Sequence, residues 1–160
     1  MRSEASDRSE CVNEVLAGET VEEIQLGAGT WVEVELPDGY RGWMDRRQLM
    51  PVTQLWVGHP LRLSKVSSAW SGVAGGWLPA GACVRKHEGR WFLGELPIEP
   101  QFEEPKEHEG SMVGWAQTMV GVPYHWGGRS GWSFDCSGLV SLAAALVGKK
   151  VPRDASQQFL

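Results

Sequence analysis

Cys136 is the residue in this chain best placed for nucleophilic chemistry. Two glycine-rich turns lead into Asp135, and an apolar run from Leu139 to Val147 begins just after the cysteine, so the thiol falls where a loop becomes a helix. Unpaired N–H groups and the positive end of the helix dipole favour an anion there. Helix N-termini lower a cysteine pKa from about 8.5 to between about 3.5 and 7.5. A cysteine at a helix start is also an ordinary small packing residue, and the position alone leaves both readings open. The same holds for its neighbours. Asp135 reads as an N-cap, Ser137 as a residue of the first helical turn and Tyr124 as a packed aromatic, and none of these structural roles excludes facing a ligand.

Three blocks occur in order and at close spacing around the thiol: P-Y-H-W-G-G (Pro123 to Gly128), F-D-C-S-G-L-V (Phe134 to Val140) and P-R-D-A-S-Q-Q (Pro152 to Gln158). Together they resemble the NlpC-type cysteine peptidases, papain-like enzymes that cut bacterial cell-wall peptides. The resemblance covers the final third of the chain and implies a nucleophile at Cys136 with Tyr124 close to it. It further implies that Asp135 and Ser137 help hold a substrate's free N-terminal amine, and that Arg153 and Asp154 lie in a segment bordering the cleft. Those four residues are the expected substrate contacts. The implied substrate is a murein peptide, cut after γ-D-glutamate and before an L-diamino acid, with no cofactor and no metal.

Such chemistry also needs a positioned base, or an imidazolium that holds the thiolate and protonates the leaving amine. In the family that base is a histidine well downstream of the cysteine, whereas no histidine stands between Cys136 and Leu160. The chain therefore reads as cut before the catalytic histidine. His125, inside P-Y-H-W-G-G, is the nearest substitute, at a position the family fills with varied residues. His59, His87 and His108 fall in strand or linker context and read as exposed. A non-catalytic module that binds wall fragments or peptides is the alternative function.

The rest of the sequence bounds this reading. A formal charge of −5 over 160 residues, with no basic run longer than Arg46-Arg47 or Lys149-Lys150, argues against nucleic acid or an anionic membrane as partner. Hydrophobic residues make up 42%, enough for packed cores. Cys11, Cys83 and Cys136 are odd in number and widely spaced, which indicates neither a disulfide framework nor a zinc site. The first ten residues hold no apolar core, and no apolar run reaches the roughly 18 residues that cross a bilayer. As written the chain reads as cytoplasmic, with the periplasm or cell envelope open to it if a leader has been removed.

Short strands and turns must position the thiol. G-T-W-V-E-V-E-L alternates cleanly, and P-D-G-Y-R-G-W-M sets a hairpin turn at Asp38-Gly39. This stretch, closing on D-R-R-Q-L, resembles the bacterial Src-homology-3-like barrels that commonly precede NlpC-type domains. An echo follows: Gly29-x-Trp31 and Glu35-Leu36-Pro37 return as Gly89-x-Trp91 and Glu95-Leu96-Pro97, and Ala17-Gly18 as Ala80-Gly81. Trp31 and Trp91 read as core or half-exposed strand residues. Trp43, Trp70 and Trp77, near glycine-rich turns, are compatible with stacking on sugar or peptide. Ser111 reads as the N-cap of a helix ended by Gly121 and Pro123, and Gly148 as the stop of the cysteine helix. The expected architecture is α+β: small all-β Src-homology-3-like barrels over 1–52 and 53–99, a linker over 100–110, and the N-terminal helical part of a papain-like domain over 111–160.

Overall fold

The computed structural model describes residues 1–53, 60–64, 68–71, 76–102, 104 and 110–159, with the side chains of 68–71 and 100 left aside. His59, His108, the Trp70 side chain and most of the expected linker lie outside the described residues. The architecture is α+β, as the sequence predicts.

Alternation creates the first sheet. Strands β1 (Glu22–Leu26), β2 (Trp31–Glu35) and β3 (Arg41–Asp45) form an antiparallel meander. On β2 the two valines of W-V-E-V-E share one face, opposite to Trp31, so Val32 and Val34 are fully buried beside Met44 of β3. The turn expected at Asp38-Gly39 is present, with the Asp38 carboxylate accepting from Tyr40 N at 3.0 Å. Beyond β3 the N-terminal segment adds a further bridge, in which Arg2 exchanges both backbone hydrogen bonds with Trp43.

The second sheet has six strands in the antiparallel order β4-β7-β8-β9-β5-β6. These are β4 (Leu61–Arg62), β5 (Ser68–Ser71), β6 (Gly76–Leu78), β7 (Cys83–His87), β8 (Arg90–Leu93) and β9 (Leu96–Pro100). Its core is Leu63, Leu78, Ala82, Val84, Trp91 and Ile98. Trp91 is buried there with Phe102 edge-on at 5.4 Å, whereas Trp31 stays half-buried on β2. Each tryptophan lies on the middle strand of a β meander, but the meanders differ after it. The loop from β2 to β3 spans Leu36 to Tyr40, whereas β8 turns directly at Gly94-Glu95 and Leu96 already opens β9.

The Ala-Gly pairs shared by the two segments turn out to be docking points. Cys83 N donates to Ala17 O at 2.8 Å, and a Cβ at Gly18 would stand 1.9 Å from Cys83 O. A Cβ at Gly81 would meet Leu16 and Leu142 methyls at 2.7 Å. The first β segment therefore packs on β7, and the turn before β7 packs on the cysteine helix. Side chains larger than hydrogen at these two positions would push the units apart.

Helix α1 (Met112–Thr118) starts from Ser111, whose hydroxyl accepts from Gly114 N at 3.0 Å. A small hairpin of β10 (Arg129–Ser130) and β11 (Ser133–Phe134) then feeds α2 (Cys136–Leu146), and α3 (Ala155–Gln158) closes the described chain. Ala80, Met119, Leu142 and Leu146 form the core that joins α1, α2 and the second sheet. Among the described residues no helix is long and apolar enough to cross a membrane.

Candidate active site

Cys136 is the first residue of α2 and is exposed. Asp135 precedes it as N-cap, its Oδ1 accepting from Gly138 N at 2.7 Å. The N–H groups of Cys136 and Ser137 open the helix and have no intrahelical acceptor, so an oxygen developing negative charge beside the thiol would find donors there.

The approach to the thiol is held by backbone contact that tolerates only glycine. Gly127 has φ +78°, and a Cβ on it would stand 2.3 Å from Cys11 O. A Cβ on Gly138 would stand 2.0 Å from Gly128 O. The W-G-G turn thus lies directly on the first turn of α2, and Asp135 N donates to Gly128 O at 3.1 Å. Further back, His125 N donates to Phe134 O and Phe134 N to Pro123 O, which makes Tyr124 the bridging residue of a short parallel pair. Tyr124 is two-thirds exposed and His125 is exposed. His87 is exposed on β7, remote in sequence from this turn.

Beneath the thiol is a buried ion pair. Arg153 is 4% and Asp135 7% exposed. The guanidinium donates to both carboxylate oxygens of Asp135, at 3.0 and 2.8 Å, to Ser137 Oγ at 2.8 Å and to Asn13 Oδ1 at 2.9 Å. Asp135 also accepts from Gly127 N at 2.9 Å and from Ser137 Oγ at 3.2 Å. Burial pushes its carboxyl pKa up, but the Arg153 hydrogen bonds and charge and the Gly138 and Gly127 N–H groups outweigh that, and the group sits below the usual carboxylate range. Ser137 is buried within this cluster, and Gln158 Nε2 donates to Ser137 O at 3.1 Å, fastening α3 across the start of α2.

Asp154 is only half-buried and near enough to the Tyr40 hydroxyl, in the loop from β2 to β3, for its charge to act on it, while that hydroxyl donates to Val12 O at 3.3 Å. Burial first, and then the Asp154 charge, raise the Tyr40 pKa above its ordinary value. The six residues singled out by sequence, Tyr124, Cys136, Asp135, Ser137, Arg153 and Asp154, therefore lie along one stretch of structure around the start of α2. Asp135, Ser137 and Arg153 are its buried base, while Cys136, Tyr124 and Asp154 retain access to solvent.

The N-terminal segment supplies residues that sequence reading passed over. Trp126 Nε1 donates to Glu10 Oε1 at 2.7 Å, Arg129 N and Nε bind Glu14, and Arg153 reaches Asn13. These contacts join positions more than 110 residues apart. Nothing near Glu10, Asn13 or Glu14 in the sequence marks them, because their partners are chosen by docking and not by local pattern. Among the described residues no cluster of His, Cys, Asp and Glu could hold a metal ion.

Comparison with known proteins places this geometry. Residues 121–159 match the NlpC/P60 family, and residues 1–49 match the bacterial dipeptidyl-peptidase Sh3 domain. The chain is 29% identical over 167 residues to a gamma-D-glutamyl-L-lysine dipeptidyl-peptidase of Bacillus subtilis, covering 91% of this chain and 56% of that protein. It is 26% identical to dipeptidyl-peptidase 6 of Lysinibacillus sphaericus, covering 92% of this chain and 66% of that one. A 48-residue stretch is 46% identical to a probable endopeptidase of Corynebacterium glutamicum, covering 30% of this chain and 23% of that protein. The crystal structure of an NlpC/P60 family protein from Bacillus cereus superposes with a TM-score of 0.75 at 20% identity, over 94% of this chain and 59% of that one. The chain thus spans about half the length of the first of these relatives, and its Cys136 segment is similar to the NlpC/P60 family behind an SH3-like N-terminus.

Proposed function

We propose that this chain carries the nucleophile and the amine-recognition side of a cysteine peptidase that cleaves murein peptides after γ-D-glutamate. The observation that carries the reading is the exposed Cys136 at the first position of α2, braced from below by the buried Asp135–Arg153 pair. The sulfur attacks the γ-glutamyl carbonyl carbon, the N–H groups of Cys136 and Ser137 receive the oxyanion, and the amine of the diamino acid leaves. Tyr124, exposed and bridged to Phe134 two residues before the thiol, is assigned to the same cleft. Asp135 caps the helix, and its oxygens already accept five hydrogen bonds. The free amine of the substrate is therefore assigned to the more open Asp154 and the Tyr40 hydroxyl near it, with Ser137 and Arg153 holding that wall in place. Residues 1–52 and 53–99 act in this reading as two Src-homology-3-like units, the first forming one side of the cleft through Glu10 and Tyr40.

Leaving-group protonation requires an acid that the thiol cannot supply, a step worth about 10² to 10⁴ in rate. The 160 residues contain no histidine after Cys136, so they are expected to bind and to be labelled without turning over. A chloromethyl ketone of L-alanyl-γ-D-glutamate tests this. Saturable modification of Cys136, competed by L-alanyl-γ-D-glutamyl-L-lysine but not by its N-acetyl derivative, is the expected result. Equal competition by the acetylated peptide would remove the amine assignment, and absence of saturation would remove the substrate class. Cleavage of the free peptide that disappears in Cys136→Ala would show a base within these residues, for which His125 is the candidate.

A further inference from the structure

A cavity of about 480 Å³ lies between the first β segment, the second sheet and the C-terminal half of α2; Cys136 is not on its wall, whereas Arg153 and Asn13 are. Its lining carries Arg62, Arg85, Arg129, Lys149, Lys150 and Arg153 against only Glu19 and Asp38. Arg153 is already matched by the Asp135 carboxylate, so the other five cations against two acids leave an excess of three positive charges, inside a chain whose formal charge is −5. The acids do not close this gap. Glu19 is shared between two guanidinium groups, accepting from Arg62 at 3.0 Å and pairing also with Arg129. Asp38 accepts from its own turn at Tyr40 N. Cys83 adds no anion, because burial pushes its thiol pKa up to about 11.

Two donors there are buried and lack a hydrogen-bond partner among the described residues: Arg85 Nε and Asn13 Nδ2. Both residues belong to the cavity wall, and Asn13 is 1% exposed. Neither atom is open to the cavity as it stands, so they mark polarity of the wall left unmatched, at about 1 to 3 kcal/mol each, and the attraction for a ligand rests on the charge excess. Leu36, Leu61 and Leu146 close the remaining wall, and such apolar surroundings strengthen charge–charge attraction inside the cavity.

We propose that this cavity binds a small oxyanion carrying at least two negative charges, at a site separate from the Cys136 cleft. Arg85 and the exposed Lys149 and Lys150 make no ion pair among the described residues and are the cations proposed to receive it, Arg85 supplying the planar fork that suits phosphoryl or carboxylate oxygens. Arg62 and Arg129 remain tied to Glu19 and set the field from behind.

Isothermal titration of the 160-residue chain at low salt, with inorganic pyrophosphate and separately with citrate, tests the site. Saturable 1:1 binding of at least one anion is expected, weakened about tenfold by Arg85→Gln and by Lys149→Gln/Lys150→Gln, which is one charge-assisted hydrogen bond. Arg85→Lys, which keeps the charge, is expected to retain part of the affinity and guards against a folding defect in the glutamine variant. Binding of pyrophosphate alone assigns the phosphoryl class, and of citrate alone the carboxylate class. Arg41→Gln, at an exposed pair on β3, is expected to change nothing. Absence of saturation with both anions, or equal weakening by Arg41→Gln, overturns the proposal. So does loss of affinity on alkylating Cys136, which would move the anion into the cysteine cleft.

Discussion

Arg153, which braces the start of the cysteine helix, and the other arginines of the cavity wall it shares are bound in opposite ways. Arg153 meets one carboxylate in a bidentate pair, with Ser137 and Asn13 taking its remaining donors, so charge is matched one to one, although Asn13 Nδ2 is left without a partner among the described residues. Around Glu19 a single carboxylate serves two guanidinium groups, while Arg85 keeps an orphan donor nearby. The first arrangement is closed and fixes a geometry. The second is open in charge and in hydrogen bonding, the condition a ligand can relieve. Local surroundings thus make the same residue type a brace in one place and a receptor in another.

The largest test of this contrast is Arg153→Ala. Removing the guanidinium leaves Asp135 buried without its counter-charge, and losses of about 3–5 kcal/mol follow such a change. Urea unfolding of the variant should show it; a midpoint near that of the parent chain would mean that the brace is not structural. Arg153→Lys should recover only part, since an ammonium cannot make the bidentate contact.

Glu19→Gln comes next. The amide keeps the shape but loses the charge between Arg62 and Arg129, and a cost of about 1–3 kcal/mol is expected by the same measurement. If the cavity is a receptor, this variant should bind pyrophosphate or citrate more tightly than the parent, and the anion should restore part of the lost stability. A loss of affinity would show instead that Glu19 organises the site and does not compete with the ligand.

The smallest effect concerns pH. The folded pKa of Asp135 is depressed, so its ionised form is favoured by folding. That contribution is complete above the ordinary aspartate value near 3.9 and is lost as pH falls through the lower folded value. Between pH 7 and pH 5 this group leaves stability unchanged, and the gap in urea midpoint between the parent and Asp135→Asn should narrow only below about pH 4. A gap that narrows already at pH 6 would assign the titration to another group.

Much of the site was legible because it is local. The N-cap and the start of α2 follow from F-D-C-S-G, the α1 cap from Ser111, and the hairpin from Asp38-Gly39, since each depends on residues within a few positions of one another. The W-G-G and C-S-G glycines could be noticed in sequence, but their reason is a contact between two segments, Gly138 against Gly128 O. Three facts were decided only by tertiary structure: that Arg153 is buried against Asp135, that Asn13, Glu10 and Glu14 reach the cysteine loop from the other end of the chain, and that six cations share one cavity wall. A sequence pattern reports the periodicity of a helix or strand and the chemistry of a turn. Which charges meet across more than 110 residues depends on how the separately formed units dock, and here that is set by the Gly18 and Gly81 contacts, whose fit no local pattern encodes.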